Sequence, residues 1–330
     1  MSLGGVLRTV GPPFLLLNGV LVLVTYLTLL ERKFAARLQS RVGPYEVGRP
    51  HGWLQPIADA VKLLLKEDIV PAAADRPVYA LAPIVFLVPA FLMYAAIPFA
   101  PRLLLADLDI GLLFVLAASS LEVVGLFMCG WGSNNKYALL SAMRAVNQII
   151  SYEVPFILVV LVPVVLTGSL RLRAIVDAQA GLWFVAWPIL GQLAFVAFLV
   201  TALASENRIP FDIVEAESEL VAGFRVEYSG MKFALIQLAE FVHLFGVAGL
   251  GVLLFWGGWR GPGPEALGPV WFILKAVGLF TVIIWIRWSF IRIRVDQILA
   301  LSWTVFFPAS LALLIAAAVV VVVRGGGAGG

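Results

Sequence analysis

The sequence predicts an all-α integral membrane protein with about eight transmembrane helices and one amphipathic helix at the membrane surface. The chain is 62% hydrophobic and only 13% charged, whereas soluble domains are about a quarter charged. Its mean hydropathy is +1.00. The apolar residues fall in runs of roughly 20, the length that crosses a hydrocarbon core as a helix. We expect a single membrane domain over residues 1–330.

Eight apolar runs are the candidate spans, and loops rich in charge, glycine or proline separate them. Pro89 and Pro163 fall inside two of the runs, which is tolerated where neighbouring helices satisfy the freed backbone groups. The glycine-rich end, 325–330, is predicted to be a flexible tail. The predicted spans cover residues 11–30, 79–99, 111–130, 149–168, 183–204, 233–256, 269–287 and 303–323.

The distribution of lysine and arginine predicts the orientation of the spans. The loops after spans one, three, five and seven hold sixteen of the 23 basic residues, the termini and other loops hold six, and Lys275 lies within a span. Cytoplasmic loops carry such an excess, so both termini should lie on the outer side. The four predicted cytoplasmic loops are 31–78, 131–148, 205–232 and 287–302.

Cysteine, histidine and net charge limit the classes of function. Cys129 is the one cysteine, so neither an internal disulfide nor a thiolate metal site can form. The two histidines, His51 and His243, are too few and too differently placed for a bis-histidine haem. The net charge of +3 is spread over many loops and does not indicate nucleic-acid binding. We therefore expect no metal and no redox cofactor bound by this chain.

Residues 54–66 have the periodicity of an amphipathic helix that is too short to span the membrane. Pro56 suits its first turn. The apolar stripe comprises Leu54, Ile57, Val61, Leu64 and Leu65, and the polar face comprises Gln55, Asp59, Lys62 and Lys66. Two interpretations stay open: a simple surface anchor, or a helix whose polar face lines a cavity at the membrane edge.

Acidic residues crowd the second long loop. A helix opened by Pro210 and ended by Gly223 would place Asp212, Glu215 and Glu219 on one face. Crowding and burial both favour the protonated form of a carboxyl group, so such residues can hold protons. A solvated acidic face is the alternative, although apolar residues are interleaved with the acids and a membrane adjoins them.

Three further acids, Glu122, Glu153 and Glu240, lie within or at the ends of spans. An ionised side chain at the bilayer centre costs about 2.5–3.5 kcal/mol on insertion scales, so such acids are candidates for function. An ion pair of Glu153 with Arg144 is the structural alternative. His243, one turn from Glu240, is interpreted as a hydrogen-bonded interior histidine.

Several long stretches together resemble the H-type subunit of NADH-quinone oxidoreductase, the respiratory complex I family that includes mitochondrial subunit 1. The resemblance extends from Glu31 to about Pro308. It rests on Glu31-Arg32-Lys33, Gln39-Ser40-Arg41-Val42-Gly43-Pro44, Gln55-Pro56-Ile57-Ala58-Asp59, Trp131-Gly132-Ser133-Asn134-Asn135-Lys136-Tyr137, Ile150-Ser151-Tyr152-Glu153-Val154-Pro155, Glu215-Ala216-Glu217-Ser218-Glu219 and Glu227-Tyr228-Ser229-Gly230.

The resemblance implies a multi-pass subunit of a proton-pumping NADH:quinone oxidoreductase in a bacterial plasma (inner) membrane, not catalytic alone. Its implied partners are the hydrophilic-arm quinone-site and iron–sulfur subunits, small membrane subunits and lipid, with flavin and clusters held by partners and quinone as substrate. The implied quinone-chamber residues are Arg32, Arg37, Arg41, Gln55, Asp59, Lys62, Phe224 and Arg225. The implied proton-relay residues are Glu122, Glu153, Asp212, Glu215, Glu217, Glu219, Glu227 and Glu240.

Three other functions compete with this interpretation. A homologous subunit of a membrane-bound hydrogenase or deazaflavin dehydrogenase would have the same fold and another redox partner. A proton-coupled transporter would also use intramembrane acids, but such folds usually show internal repeats with broken helices, and the sequence shows no repeat. A purely structural anchor for redox subunits predicts that amide replacement of Asp59 or Glu217 leaves turnover intact.

Overall fold

A computed structural model describes residues 3–101, 103–214 and 220–326, with side chains described between residues 11 and 323 of these ranges. Within them the structure is helical, and the only β pairing is one isolated bridge between Ala100 and Leu103. The helices are α1 Leu3–Leu38, α2 Gln55–Leu65, α3 Arg76–Leu92, α4 Gly111–Gly132, α5 Lys136–Thr167, α6 Leu172–Ala178, α7 Leu190–Ser205, α8 Gly230–Phe255, α9 Gly268–Ser289, α10 Val295–Leu301 and α11 Phe307–Gly326.

The prediction of an all-α membrane protein is confirmed. In the described part of the chain, seven helical segments are long and apolar enough to cross a membrane. They are Gly11–Leu38, Arg76–Ala95, Gly111–Gly132, Lys136–Thr167, Gly230–Phe255, Glu265–Ser289 and Val295–Val323. The remaining predicted span, 183–204, corresponds to α7, an apolar helix of 16 residues. It starts late because a short 3-10 turn and then Pro188 precede it.

Helix α8 is the centre of the bundle. In its most apolar stretch 89% of the residues are buried, against 11–44% in the other spans. It packs against α1, α3, α7 and α9. Glycines let these neighbours approach, since a Cβ added at Gly251 would meet the Phe198 ring at 2.6 Å. A helix that is apolar on all sides is expected in such a position.

Two predicted cytoplasmic loops are partly helical. Helix α1 continues through Leu38 and α5 begins at Lys136, so parts of the loops 31–78 and 131–148 extend the spans. Glutamate, arginine, lysine and alanine are good helix formers and continue a helix beyond the apolar run. The predicted surface helix is confirmed as α2, and part of its apolar stripe is open, with Leu65 83% exposed.

Candidate functional site

A cavity of about 690 Å³ lies among α1, α2, α8 and the end of α9. One part of its wall is apolar and another part is charged. The apolar lining includes Leu21, Leu63, Leu64, Leu235, Leu238 and Phe241. The polar lining includes Glu31, Arg32, Arg41, Asp59, Gln237 and Arg287.

Three predicted chamber residues meet at the edge of this larger cavity. Arg32 Nη1 of α1 lies 2.5 Å from Asp59 Oδ2 of α2. Gln55 Nε2, one turn earlier on α2, donates to Asp59 Oδ1 at 2.9 Å. The two charged side chains are 51% and 32% exposed, so this pair borders the cavity mouth.

The other predicted chamber residues lie in different places. Arg41 lines the larger cavity and donates to Gln39 at 2.7 Å. Arg37 and Lys62 are exposed and lie outside the cavity lining. The predicted chamber residues therefore divide into a group at the cavity and a group on the open surface.

Arg225 and Phe224 lie deeper, on a short 3-10 turn at Gly223–Arg225. Arg225 Nη1 donates to Gln237 Oε1 at 2.7 Å and to Glu240 Oε2 at 3.2 Å. Because Gln237 lines the larger cavity, Arg225 connects that cavity to Glu240. The Phe224 ring packs edge-on to Phe86 at 6.1 Å and lines a second cavity.

The second cavity is small, about 70 Å³, and lies among α4, α5, α8 and the segment after α7. Arg287 lines both cavities and forms an ion pair with Glu31 across α9 and α1. Many of the side chains that line the smaller cavity are ionisable. Its polar lining comprises Ser119, Ser120, Glu122, Glu153, Ser205, Glu206, Asn207, Arg208, Asp212, Glu240, His243 and Arg287.

The Glu240 carboxylate contacts two guanidinium groups. Arg208 Nη2 lies 3.6 Å from Glu240 Oε2, the same oxygen that Arg225 contacts. Burial lowers the pKa of Arg208, but the carboxylates of Glu240, Glu31 and Glu206 raise it by more. Arg208 therefore remains a cation. A buried carboxylate between two cations is electrostatically sensitive to any charge placed nearby, because the local dielectric is low.

His243 lies between two carboxylates. Its Nδ1 is 3.0 Å from Glu122 Oε2 and 2.7 Å from Glu206 Oε1, and its Nε2 is 2.7 Å from Ser119 Oγ. The next residue, Ser120, donates to Glu153 of α5. In the described residues no group of three or more His, Cys, Asp or Glu side chains is arranged to hold a metal ion.

Two further predicted relay acids, Asp212 and Glu227, have partners other than His243 and Glu240. Asp212 is buried and lies 3.3 Å from Arg292. Burial raises the pKa of Asp212, although Arg292, Arg287 and Arg208 oppose that rise. Glu227 accepts from Asn135 at 2.6 Å and lies outside both cavity linings. The predicted relay residues Glu215, Glu217 and Glu219 lie outside the described residues.

The structure adds functional candidates that the sequence did not single out: Glu31, Glu206, Arg208, Gln237 and Arg287. His243, which the sequence analysis interpreted as a hydrogen-bonded interior histidine, joins them with partners at both ring nitrogens. Their contacts join residues that are far apart in sequence, such as Arg287 and Glu31. One signal was available for Glu206 and Arg208, because charges that directly follow an apolar helix are held near the membrane. Nothing local distinguishes Arg287 from an interfacial anchor.

Comparisons with known proteins show the family of this chain. The family model described as NADH dehydrogenase matches residues 13–318. The H-type subunit of NADH-quinone oxidoreductase from Dehalococcoides mccartyi (strain CBDB1) is 50% identical over 302 residues, covering 91% of this chain and 83% of the relative. The protein of the same name from Geobacillus kaustophilus (strain HTA426) is 50% identical over 307 residues, covering 91% and 90%. On the extent of both matches, this chain belongs to the NADH dehydrogenase family.

Proposed function

We propose that this chain is the membrane subunit of a proton-translocating NADH-quinone oxidoreductase and that its larger cavity is the quinone chamber. One observation carries the proposal. An apolar-walled cavity of about 690 Å³ is joined, through Arg287 with Glu31 and through Gln237 with Arg225, to a buried network of carboxylates and cations. The names and identities of the relatives support the same activity.

The chamber suits the two chemically different parts of a quinone. Its volume falls in the range of roughly 300–1,000 Å³ that is typical of small-molecule sites. Leucines of α1, α2 and α8 offer an apolar wall for an isoprenoid tail. The guanidinium groups of Arg32 and Arg41 offer N–H donors to the carbonyl oxygens of a headgroup. Asp59 holds Arg32 in place from the facing helix.

Reduction of a quinone to a quinol takes two electrons and two protons. We assign the electrons to flavin and iron–sulfur clusters in partner subunits and the protons to the carboxylates behind the chamber. Negative charge that arrives in the chamber would act on Glu240 through Arg225, and on Glu31 through Arg287. The proposed relay residues are Glu122, Glu153, Asp212, Glu215, Glu217, Glu219, Glu227 and Glu240.

We place the cation-rich loops on the cytoplasmic side of the plasma membrane, where they would meet the hydrophilic-arm subunits. Arg37 and Lys62 are exposed in these loops, outside the chamber lining, and Val42 and Trp53 add apolar surface. Because Cys129 is the one cysteine, Cys129→Ala with Val42→Cys gives a topology probe. In inverted vesicles stripped of the hydrophilic arm, an impermeant thiol reagent should label this cysteine, and in intact cells it should not. Labelling in intact cells would contradict this orientation.

Asp59→Asn tests the chamber directly. We expect the KM for quinone to rise about tenfold in the assembled complex, because Arg32 loses the carboxylate that holds its guanidinium group in position. NADH oxidation by an artificial acceptor that bypasses the chamber should not change. The subunits that co-purify in mild detergent should include flavin and iron–sulfur proteins, whereas a hydrogenase partner would contradict the assignment.

The chain offers a matched control for Asp59→Asn. Asp109 forms an ion pair with Arg171 at 2.5 Å, the same separation as in the pair of Asp59 and Arg32, but it lies in the loop before α4. Asp109→Asn should leave the KM for quinone unchanged. Equal effects of the two replacements, or no effect of Asp59→Asn, would reject the chamber.

A further inference from the structure

We propose that His243 is a proton-relay residue of the smaller cavity, passing protons between the carboxylates at its Nδ1 and the serine at its Nε2. The inference rests on the proposed function and adds a member to the relay that is not a carboxylate. His243 lies on α8. Its partners Glu122 and Ser119 lie on α4, and its partner Glu206 directly follows α7. The imidazole therefore bridges three elements at the centre of the bundle.

Both ring nitrogens have partners that can exchange a proton. Nδ1 lies 3.0 Å from Glu122 and 2.7 Å from Glu206, and Nε2 lies 2.7 Å from Ser119. The side chains of Glu206, His243 and Glu122 are only 4%, 9% and 12% exposed, so bulk water cannot serve in their place.

One Nδ1–H can align with a single carboxylate at a time, so the second carboxylate is left without that donor. Glu206 Oε1 is buried and, apart from the imidazole beside it, has no hydrogen-bonding partner in the described chain. A buried carboxylate oxygen without a donor is costly unless it binds a proton. The geometry thus provides a site for one transferable proton next to Nδ1.

The transfer conserves protons and needs no oxidant. A proton leaves the carboxyl oxygen of Glu206 or Glu122 as the Nδ1–H bond forms. The Nε2–H bond then breaks, Ser119 Oγ gains that proton, and the hydroxyl releases its own proton onward. The ring is then protonated on Nδ1 alone, and it returns to its first tautomer when water in the cavity carries the Nδ1 proton to Nε2. Imidazole can do this because its two nitrogens exchange donor and acceptor roles between tautomers.

From Ser119 a proton can move on along α4, through the neighbouring Ser120. Ser120, the neighbour of Ser119, contacts Glu153 and also donates to the carbonyl of Leu116 at 3.0 Å. A hydroxyl has one proton, so Ser120 donates either to Leu116 or to Glu153, and while it donates to Leu116 it can accept a hydrogen bond from a protonated Glu153. A cavity of about 70 Å³ exceeds the roughly 10–15 Å³ that one water needs, so water can join the two serines.

The charged groups around His243 come from every element that surrounds the smaller cavity. Glu122 faces it from α4, Glu153 from α5, Arg287 from α9 and Glu240 from its own helix, and the segment after α7 adds Glu206, Arg208 and Asp212. The acids outnumber the cations in this group. When His243 gains a proton, the excess of negative charge in the cavity falls, and when it loses the proton, that excess returns. Its charge is thus coupled to the state of the whole cluster.

The variant His243→Gln distinguishes a proton-relay role of His243 from a purely structural one. A glutamine amide keeps hydrogen bonds to the carboxylates or to Ser119, but it cannot gain or lose a proton in the physiological range. In the assembled complex we expect kcat for NADH:quinone reduction to fall at least about tenfold, in line with loss of a proton-transfer group. The KM for quinone should stay within about twofold, since His243 does not line the larger cavity. The pH profile of kcat should change shape.

Ser119→Ala keeps the test decisive if His243→Gln fails to assemble. It removes the Nε2 partner and should also lower kcat with a changed pH profile. Ser310→Ala is the matched control, because Ser310 is a buried serine in α11 that donates to the carbonyl of Phe306, one turn earlier in the chain. A wild-type kcat and pH profile in Ser119→Ala or in an assembled His243→Gln complex would overturn the relay. Wild-type membranes without NADH:quinone reductase activity would instead overturn the proposed function.

Discussion

Two buried cationic sites of this bundle satisfy their charges in different ways. Around the C-terminal end of α8, Lys275 Nζ donates to the carbonyls of Trp256, Gly258 and Arg260 at 2.7, 3.1 and 2.5 Å. It also lies 4.2 Å from the centre of the Trp183 ring. Its partners are backbone oxygens at the end of a helix, where the dipole favours a cation.

Near the middle of the same helix, Arg225 and Arg208 rely on a side-chain carboxylate, Glu240. Burial makes an unpaired charge expensive in both places. Backbone carbonyls cannot change their charge, whereas a carboxylate can bind a proton. The site of Lys275 is therefore a fixed cap, and the site of Glu240 can respond to charge in the adjoining chamber.

Glu240→Gln should have the largest effect on turnover. It removes the negative charge beside two buried guanidinium groups, and breaking such a pair costs about 3–5 kcal/mol. We expect less assembled complex and, per assembled complex, at least a tenfold lower rate of quinone reduction and of proton pumping together. Quinone reductase assays and a fluorescent pH-gradient probe on the same vesicles measure both. Full pumping in this variant would mean that the Glu240 site, like the Lys275 site, only fixes buried cations and does not respond to charge in the chamber.

Lys275→Met should have a smaller effect on turnover and act on stability. Three carbonyls lose a charged donor, and hydrogen bonds to charged groups contribute about 1.5–3 kcal/mol each at most. We expect a lower Tm for the purified complex and turnover within twofold of wild type at a temperature where the complex is intact. A changed ratio of protons pumped to NADH oxidised would show that the cap also takes part in coupling.

The sequence predicted the helices better than their ends. Hydropathy located every span that the structure contains, and periodicity located α2 within one residue at each end. It could not show that α1 runs to Leu38 or that α7 starts at Leu190, because helix ends depend on charged and proline-containing segments that hydropathy excludes. Helix propensity and packing determine those segments.

For the candidate site, the sequence indicated individual residues more readily than the contacts between them. Asp59 and Gln55 follow from the spacing of α2, and Glu240 and Glu122 follow from the cost of an acid in a span. Pairings such as Arg287 with Glu31 bring together residues from opposite ends of the chain. They depend on how whole helices pack, and one sequence does not contain that information in any local pattern.

Photolabelling tests the central claim, that quinone binds among α1, α2 and α8, most directly. A quinone analogue with an aryl azide on its headgroup would be irradiated in membranes that contain the assembled complex. In this chain, the labelled peptides should fall within residues 21–41, 56–64, 231–241 and 287–288, and excess natural quinone should suppress the labelling. Labelling confined to other parts of this chain, or labelling that quinone does not suppress, would contradict the claim.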